Sequence, residues 1–217
     1  MKSKNGKNIT VLVVAGPTRE KIDPVRFISN YSTGTFGYAI AGEASRRGHR
    51  TILVSGPTCL EVPEKVEFIS VESALEMRRE VRSLAKSATC VIMAAAVCDW
   101  RAELVLPRKI KRKGGVKVLK LKENPDILKE LGEKKNSILV GFALETEHLE
   151  KNAIEKLKKK NLDLIIANRL TKDSGLFGDR LTDVLMIDRS LQKLVCRRKT
   201  KKELAKIILD KALKSKI

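Results

Sequence analysis

Aromatic side chains are scarce in this 217-residue chain: 5 Phe, 2 Tyr and 1 Trp, or 4%. So few aromatics exclude an extended stacking platform for nucleic-acid bases and leave the core to aliphatic residues. The four cysteines, Cys59, Cys90, Cys98 and Cys196, form no CxxC pair and no metal-ligand spacing. They read as reduced, mostly buried small hydrophobes, which implies a cytoplasmic protein and not a disulfide scaffold. No apolar run approaches the ~20 residues of a membrane span. The basic start, residues 1–8, is followed by neither an apolar signal region nor a small-residue cleavage site, and is expected to be disordered. Internal repeats, low-complexity tracts and linkers are lacking too. The length suits one domain over 1–217 with a real core.

A dinucleotide fingerprint is also missing. The turn after the first apolar run reads Gly16-Pro-Thr-Arg-Glu20, not GxGxxG, and the second run ends in Ser55-Gly56 without an acidic residue for ribose. Nicotinamide binding in this fold class calls for both features, so the sequence argues against a dinucleotide-dependent oxidoreductase.

What is present in excess is positive charge. Forty-five Lys and Arg against 26 Asp and Glu leave a formal net charge of +19, a balance that invites a nucleic-acid reading. The basic residues nevertheless fall in separate places, 108–122, 151–160 and 197–216, without interleaved aromatics. Those near the C-terminus lie on an amphipathic helix, Lys201 to Lys214, whose Leu204, Ile208 and Leu213 face inward. An anionic small substrate accounts for the charge as well as nucleic acid does. Steep salt-dependent binding to arbitrary DNA or RNA, without nucleotide turnover, would mark the nucleic-acid alternative. Binding to a decarboxylase without nucleotide consumption would mark a noncatalytic scaffold.

Strand and helix patterns alternate. Strands are expected at 9–15, 50–55, 66–70, 89–95, 137–142 and 162–167, and helices at 34–47, 73–86, 125–133 and 147–160. Val91-Ile-Met-Ala-Ala-Ala96 and Leu162-Asp-Leu-Ile-Ile-Ala167 are nearly continuous in apolar residues, as central parallel strands covered on both faces require. Asp183 to Ile187 and Lys193 to Cys196 read as a closing hairpin. The fold class is therefore α/β: a doubly wound, Rossmann-like domain with a mostly parallel sheet and a C-terminal antiparallel addition.

Ligands of such sheets sit beyond the carboxyl ends of the strands. There the chain places Ile28-Ser-Asn-Tyr-Ser-Thr-Gly-Thr-Phe-Gly, a loop rich in hydrogen-bonding groups that opens a helix. Its Gly34 and Gly37 admit close backbone approach, and the helix N-terminus favours an anion. An ordinary connection capped by Ser32 or Thr33 is the alternative. Ser55-Gly-Pro-Thr58, Ala96-Val-Cys-Asp99, Ala143-Leu-Glu-Thr146 and Asn168 gather at the same edge.

Several pieces in one order carry a resemblance: Ala15-Gly-Pro-Thr-Arg-Glu-Lys-Ile-Asp-Pro-Val-Arg-Phe-Ile-Ser-Asn-Tyr-Ser-Thr-Gly34, Met93-Ala-Ala-Ala-Val-Cys-Asp99, Lys109-Ile-Lys-Arg112, Glu123-Asn-Pro-Asp-Ile-Leu128, Val140-Gly-Phe-Ala-Leu-Glu-Thr146 and Lys156-Leu-Lys-Lys-Lys-Asn-Leu-Asp-Leu-Ile-Ile-Ala-Asn168. From about Thr10 to about Val195 the chain resembles phosphopantothenoylcysteine synthetase, the phosphopantothenate–cysteine ligase of coenzyme A biosynthesis, in its bacterial CTP-using form. That family joins 4'-phosphopantothenate and cysteine through an acyl-cytidylate, releasing pyrophosphate and then CMP.

The resemblance implies catalytic roles for Lys109 in forming the acyl-cytidylate and for Asn30 in its turnover. It assigns nucleotide contacts to Met93, Ala94, Ala95, Asp99, Lys109, Pro125, Asp126, Ile127, Leu128, Phe142, Lys156 and Lys160. It further implies Mg²⁺, a homodimer, and a flavin-dependent decarboxylase as a fused or separate partner. With almost nothing before Ile9, a free-standing synthetase or a separately expressed domain is expected. The chain departs from the family pattern at Thr35, where lysine is common, at Arg112, where lysine usually ends the motif, and at Thr182, where asparagine is expected. Chemically the assignments are apt. A carboxylate brought against a triphosphate needs cations, and a developing oxyanion needs a neutral donor such as an Asn amide. Pro125 suits a first helical position, and Lys156 and Lys160, four apart, share a helical face.

Overall fold

The structure, a computed structural model, describes residues 9–112, 114, 116–169 and 181–214. The expectation for residues 1–8 lies outside them.

Eight strands form the main sheet: β1 (Thr10–Ala15), β4 (Arg50–Ser55), β5 (Glu67–Ser70), β6 (Cys90–Met93), β9 (Ile138–Glu145), β10 (Leu164–Arg169), β11 (Thr182–Asp188) and β12 (Lys193–Lys199), in the order β12-β11-β10-β9-β6-β1-β4-β5. The first six run parallel; β11 then pairs antiparallel with β10, and β12 antiparallel with β11. All six residues of β1 are buried, as a central strand covered on both faces must be. Two short hairpins, β2 (Arg19–Lys21) with β3 (Phe27–Ser29) and β7 (Trp100–Ala102) with β8 (Leu121–Glu123), stand beyond the sheet. Neither was visible as a strand pattern.

On one face lie α1 (Thr35–Arg46) and α5 (Lys201–Lys214), burying Ile40, Ala41, Leu204 and Ile208 against Val11 and Val13. On the other lie α2 (Ala74–Leu84), α3 (Ile127–Glu133) and α4 (Leu149–Lys159), burying Met77, Val81, Leu128 and Leu157 against Leu12 and Val14. Alternation along β1 thus feeds two cores at once. Full burial of such side chains from water is worth about 1.5–3 kcal/mol each, and this aliphatic burial stabilises the sheet with few aromatics.

Helix ends follow the local chemistry. In α1 the stop is a Schellman turn: Gly48 (φ 81°) donates to Ser45 O at 2.9 Å and His49 donates to Ala44 O at 3.2 Å. Its start differs from a Ser32 or Thr33 cap. Gly34 occupies the N-cap in a left-handed conformation (φ 78°) with no side-chain capping bond, while Ser32 Oγ accepts from Gly34 N–H at 3.3 Å. One turn later, Gly37 lets α1 lie on β1, since a Cβ there would sit 2.4 Å from Ala15 Cβ.

Between α1 and α5 the buried Glu43 carboxylate accepts from Arg46 Nη2 at 2.7 Å and Arg47 Nε at 2.8 Å, and Arg47 reaches Asp210 at 2.7 Å. The Arg46 hydrogen bond foremost, with Arg47, overcomes burial and pushes the Glu43 carboxyl from an ordinary 4.5 down to about 2. A depressed folded-state value means protonation favours unfolding. The cluster therefore stabilises fully above about 4.5 and loses its contribution as pH falls through about 2. Glu43→Gln should lower Tm near neutrality, and its gap from the unsubstituted protein should narrow from about pH 6 to about pH 3 in thermal melts. A gap independent of pH contradicts this reading.

Candidate functional site

The parallel strands run in the order β5-β4-β1-β6-β9-β10, so the chain reverses its direction of travel between β1 and β6. Loops leaving the carboxyl ends of these two strands diverge to opposite sides and leave a crevice. Here the strand continuations stay joined: Pro17 bridges Ala96, Thr18 N donates to Ala96 O at 3.2 Å, and Ala96 N donates to Gly16 O at 3.0 Å.

Asn30 stands at this crevice. Its Nδ2 donates to Ala96 O at 2.9 Å and approaches Cys98 Sγ at 3.8 Å. The loop carrying it is tied down by Ser29 Oγ, which donates to Thr18 O at 2.8 Å, and Thr18 Oγ1 accepts from Cys98 N at 2.9 Å. The two N–H groups of Nδ2 are thus directed at Ala96 O and at Cys98 Sγ, and the thiol, a weak acceptor, is the partner that a stronger acceptor in the crevice can replace. Burial raises the Cys98 thiol above its ordinary value, so it sits here protonated.

Beside the crevice opens a cleft of ≈ 270 Å³. Met93, Ala95 and Asp99 line it from the end of β6, Phe142 from β9, Pro125 to Leu128 from the start of α3, and Lys156 and Lys160 from α4 and its C-cap. Ten of the twelve positions to which nucleotide contacts were assigned thus converge. Ala94 does not line the cleft. Alternation turns its side chain to the other face of the sheet, where a Cβ on Gly37 would lie 3.6 Å from Ala94 Cβ. Lys109 is exposed in the loop between β7 and β8, and does not line the cleft either. Pro125 precedes the helix and is not its first residue; Asp126 is the N-cap.

Electrostatics inside the cleft are set by three of these groups. Asp126 caps α3 by accepting from Lys129 N at 3.0 Å and pairs with Lys160 Nζ at 2.9 Å. Burial opposes its ionisation, but the Lys160 hydrogen bond and the Lys129 N–H outweigh it and hold the carboxyl below its usual range. Lys156 Nζ donates to Phe142 O at 2.7 Å. Desolvation foremost, with the neighbouring Lys160 charge, lowers its ammonium from the ordinary lysine value. The result is a cleft end with two lysine heads, one paired and one partly desolvated, which suits an anionic or acceptor-rich ligand.

Val97, Cys98, Glu123 and Asn124 also line the cleft, and sequence reasoning assigned them no role. Asn124 is the connector: its N donates to Asp99 O at 2.7 Å, its Nδ2 donates to Cys98 O at 2.9 Å, and its Oδ1 accepts from Arg101 Nη1 at 2.7 Å. Its place directly before Pro125-Asp126 was the one available signal.

Among the described residues no group of three or more His, Cys, Asp and Glu comes together to hold a metal ion. Among them, too, no helix is long and apolar enough to cross a membrane.

A family model described as the DNA/pantothenate metabolism flavoprotein C-terminal domain matches residues 6–215. The coenzyme A biosynthesis bifunctional protein CoaBC of Bacillus subtilis (strain 168) is 51% identical over 170 residues, covering 77% of this chain and 42% of that protein. A cysteine/cysteine sulfinic acid decarboxylase from an unknown prokaryotic organism is 42% identical over 215 residues, covering 98% of this chain and 59% of that protein. The chain thus spans about half the length of the curated relatives it matches. Among solved structures, the C-terminal domain of a coenzyme A biosynthesis bifunctional protein CoaBC superposes with a TM-score of 0.82 at 37% identity, covering 97% of this chain and 98% of that one.

Proposed function

Because this chain belongs to the family of DNA/pantothenate metabolism flavoprotein C-terminal domains, we propose that residues 1–217 form one phosphopantothenate–cysteine ligase domain using CTP. The observation that supports it most is the convergence of the Asn30 crevice and the lysine-bearing cleft at the reversal point of the sheet, joined through Cys98. One pocket can then hold a nucleotide beside a donor aimed at an acyl group.

In the first step a carboxylate oxygen of 4'-phosphopantothenate attacks the α-phosphorus of CTP. The bond to pyrophosphate breaks, and pyrophosphate leaves. Lys109 presents a cation to the triphosphate, and Lys156 and Lys160 hold the nucleotide with Asp126 and the α3 N-terminus. Met93, Ala95, Phe142 and the 125–128 segment shape the base and ribose pocket; Ala94 contributes through its backbone, and Asp99 is placed to meet ribose hydroxyls. In the second step the cysteine amine attacks the acyl carbon, the amine loses a proton, and CMP leaves with the carbon–oxygen bond's electrons. Asn30 Nδ2 donates to the carbonyl oxygen as negative charge grows on it. Mg²⁺ would be held mainly by phosphate oxygens and water; the described carboxylates make no cage for it, and neither step is routed through it.

The N-terminus of α1, which opens at the N-cap Gly34, favours the phosphate of 4'-phosphopantothenate. Product detection tests the reading: 4'-phosphopantothenoylcysteine should appear by mass spectrometry only when CTP, 4'-phosphopantothenate and cysteine are all supplied. CTP should exceed ATP in kcat/KM by at least about tenfold, because a pocket lined by main chain discriminates bases through hydrogen bonds. Equal or better kcat/KM with ATP overturns the base assignment.

We also propose a homodimer. Val25, Phe27 and Tyr31 around the β2–β3 hairpin, and Trp100, Leu104 and Val105 around β7, expose apolar surface beside the crevice, with Tyr31 91% exposed. Sedimentation at micromolar concentration should give twice the chain mass; a fully active monomer contradicts it. A flavin-dependent decarboxylase, fused or separate, is the proposed partner, and the cytoplasm the proposed location.

A further inference from the structure

Lys109 sits in an exposed segment between β7 and β8, among 103–120, and it can serve a reaction at the crevice only if something holds that segment in place. The hydrogen bonds on either side of it show what does. Asp23 lies in the turn between β2 and β3 and is buried, with 1% of its surface exposed. Its Oδ1 accepts from Val25 N at 2.8 Å and Arg26 N at 2.9 Å, which closes the turn. Its Oδ2 points the other way and accepts from Ile110 N at 3.1 Å, 87 residues along the chain. Arg26 Nη2 completes the grip by donating to Ile110 O at 2.8 Å. Both polar groups of the residue next to Lys109 are thus held from the hairpin whose far end carries Asn30.

This is more than a turn closed by a carboxylate. An Asx turn needs only Oδ1; the buried second oxygen, 3.6 Å from Arg26 Nε, accepts its hydrogen bond from a distant segment whose described side chains are mostly solvent-exposed. Upstream, Leu106 N donates to Ile22 O at 2.9 Å, so the segment is fastened to the same turn at two points four residues apart. The three backbone N–H bonds, led by that of Ile110, hold the Asp23 carboxyl below its usual range despite burial, as suits an acceptor ionised near neutral pH.

We propose that Asp23 is a positioning residue for the ligase reaction: by clamping the Ile110 peptide it fixes Lys109 relative to Asn30 and so ties the two half-reaction groups to one hairpin. The inference rests on the ligase reading for its catalytic consequence, but the clamp itself is a property of the chain. Asp23 touches no reacting atom in this account, and its effect passes through the Lys109 segment.

Asp23→Asn tests it. The amide oxygen can keep the bonds to Val25 and Arg26, whereas an NH₂ facing Ile110 N–H opposes donor to donor. Ile110→Pro removes the same bond from its other end while leaving Asp23 intact. Two readouts apply to both variants. Limited trypsin digestion under native conditions reports local opening at Arg108, Lys109, Lys111 and Arg112, with Lys109 scored only in Asp23→Asn because trypsin does not cut before proline. Quenched assays with labelled CTP report acyl-cytidylate formation separately from cysteine-dependent CMP release. Cleavage within 108–112 should rise about tenfold or more relative to cleavage elsewhere in the chain, the scale of one lost hydrogen bond to a charged group. Acyl-cytidylate formation should fall by a similar factor, while passage of preformed acyl-cytidylate to cysteine stays within about twofold. Global destabilisation would raise cleavage everywhere and slow both steps together, which overturns the proposal. Unchanged cleavage at 108–112, or raised cleavage with an undiminished first step, also overturns it. Should the unsubstituted protein release no pyrophosphate from CTP, the ligase reading fails, and the digestion still decides whether the clamp exists.

Discussion

Replacing Asn30 with Asp should leave acyl-cytidylate formation running and stop its transfer to cysteine. Two effects of the one change act together. The Nδ2 donor that faces the crevice is lost, and a carboxylate appears where the tetrahedral intermediate gathers negative charge. The structure adds a third: Asn30 Nδ2 is oriented by Ala96 O at 2.9 Å, and a carboxylate oxygen there would meet a carbonyl oxygen, acceptor against acceptor. Loss of one oriented donor to an oxyanion typically costs ~2.7–4 kcal/mol, or about 10²–10³ in rate. In a rapid-quench experiment the Asn30→Asp protein should accumulate acyl-cytidylate in the presence of cysteine. Normal turnover by this variant removes Asn30 from catalysis.

Lys109→Gln should fail earlier. Removing the ammonium takes a cation from the triphosphate while Asn30 and its Ala96 contact stay in place. A charge clamp on a transferring phosphoryl group acts on the first transition state only, so acyl-cytidylate formation should fall by about 10²–10³. The two variants form a pair. Pyrophosphate release distinguishes them, being retained after Asn30→Asp and lost after Lys109→Gln. Arrest of both at the same stage contradicts the separate roles.

Much of the fold was legible in the sequence because continuous apolar runs have few other uses. Val11 to Ala15, Val91 to Met93 and Leu164 to Ala167 became buried parallel strands, and the hairpin expected after Asp183 pairs Ile187 with Lys193 and Leu185 with Val195. The small hairpins were missed for a physical reason. Each strand is three residues long, and β3 and β8 are largely exposed, so neither period nor burial marks them.

The site divides in the same way. Residues at strand ends and at the start of α3 could be placed because the carboxyl edge of a parallel sheet is where loops meet. Ala94 follows the period of two: Met93 and Ala95 face the cleft, so the side chain between them turns toward α1. Thr33 and Ser32 were plausible caps, yet Gly34 in the left-handed region took the N-cap, a residue with no side chain to supply a capping bond. What no local pattern contains is the placement of Lys109. It depends on a bond between Asp23 and Ile110, 87 residues apart, that only the folded chain brings into being.

The central claim is that one chain performs two chemically distinct steps in order. Mixing the protein with radiolabelled CTP and 4'-phosphopantothenate, and quenching before and after cysteine is added, tests it most directly. The account predicts a burst of pyrophosphate and acyl-cytidylate, in amounts matching the protein, before cysteine, and CMP with 4'-phosphopantothenoylcysteine only after it. Pyrophosphate release that waits for cysteine, or proceeds without 4'-phosphopantothenate, would contradict it.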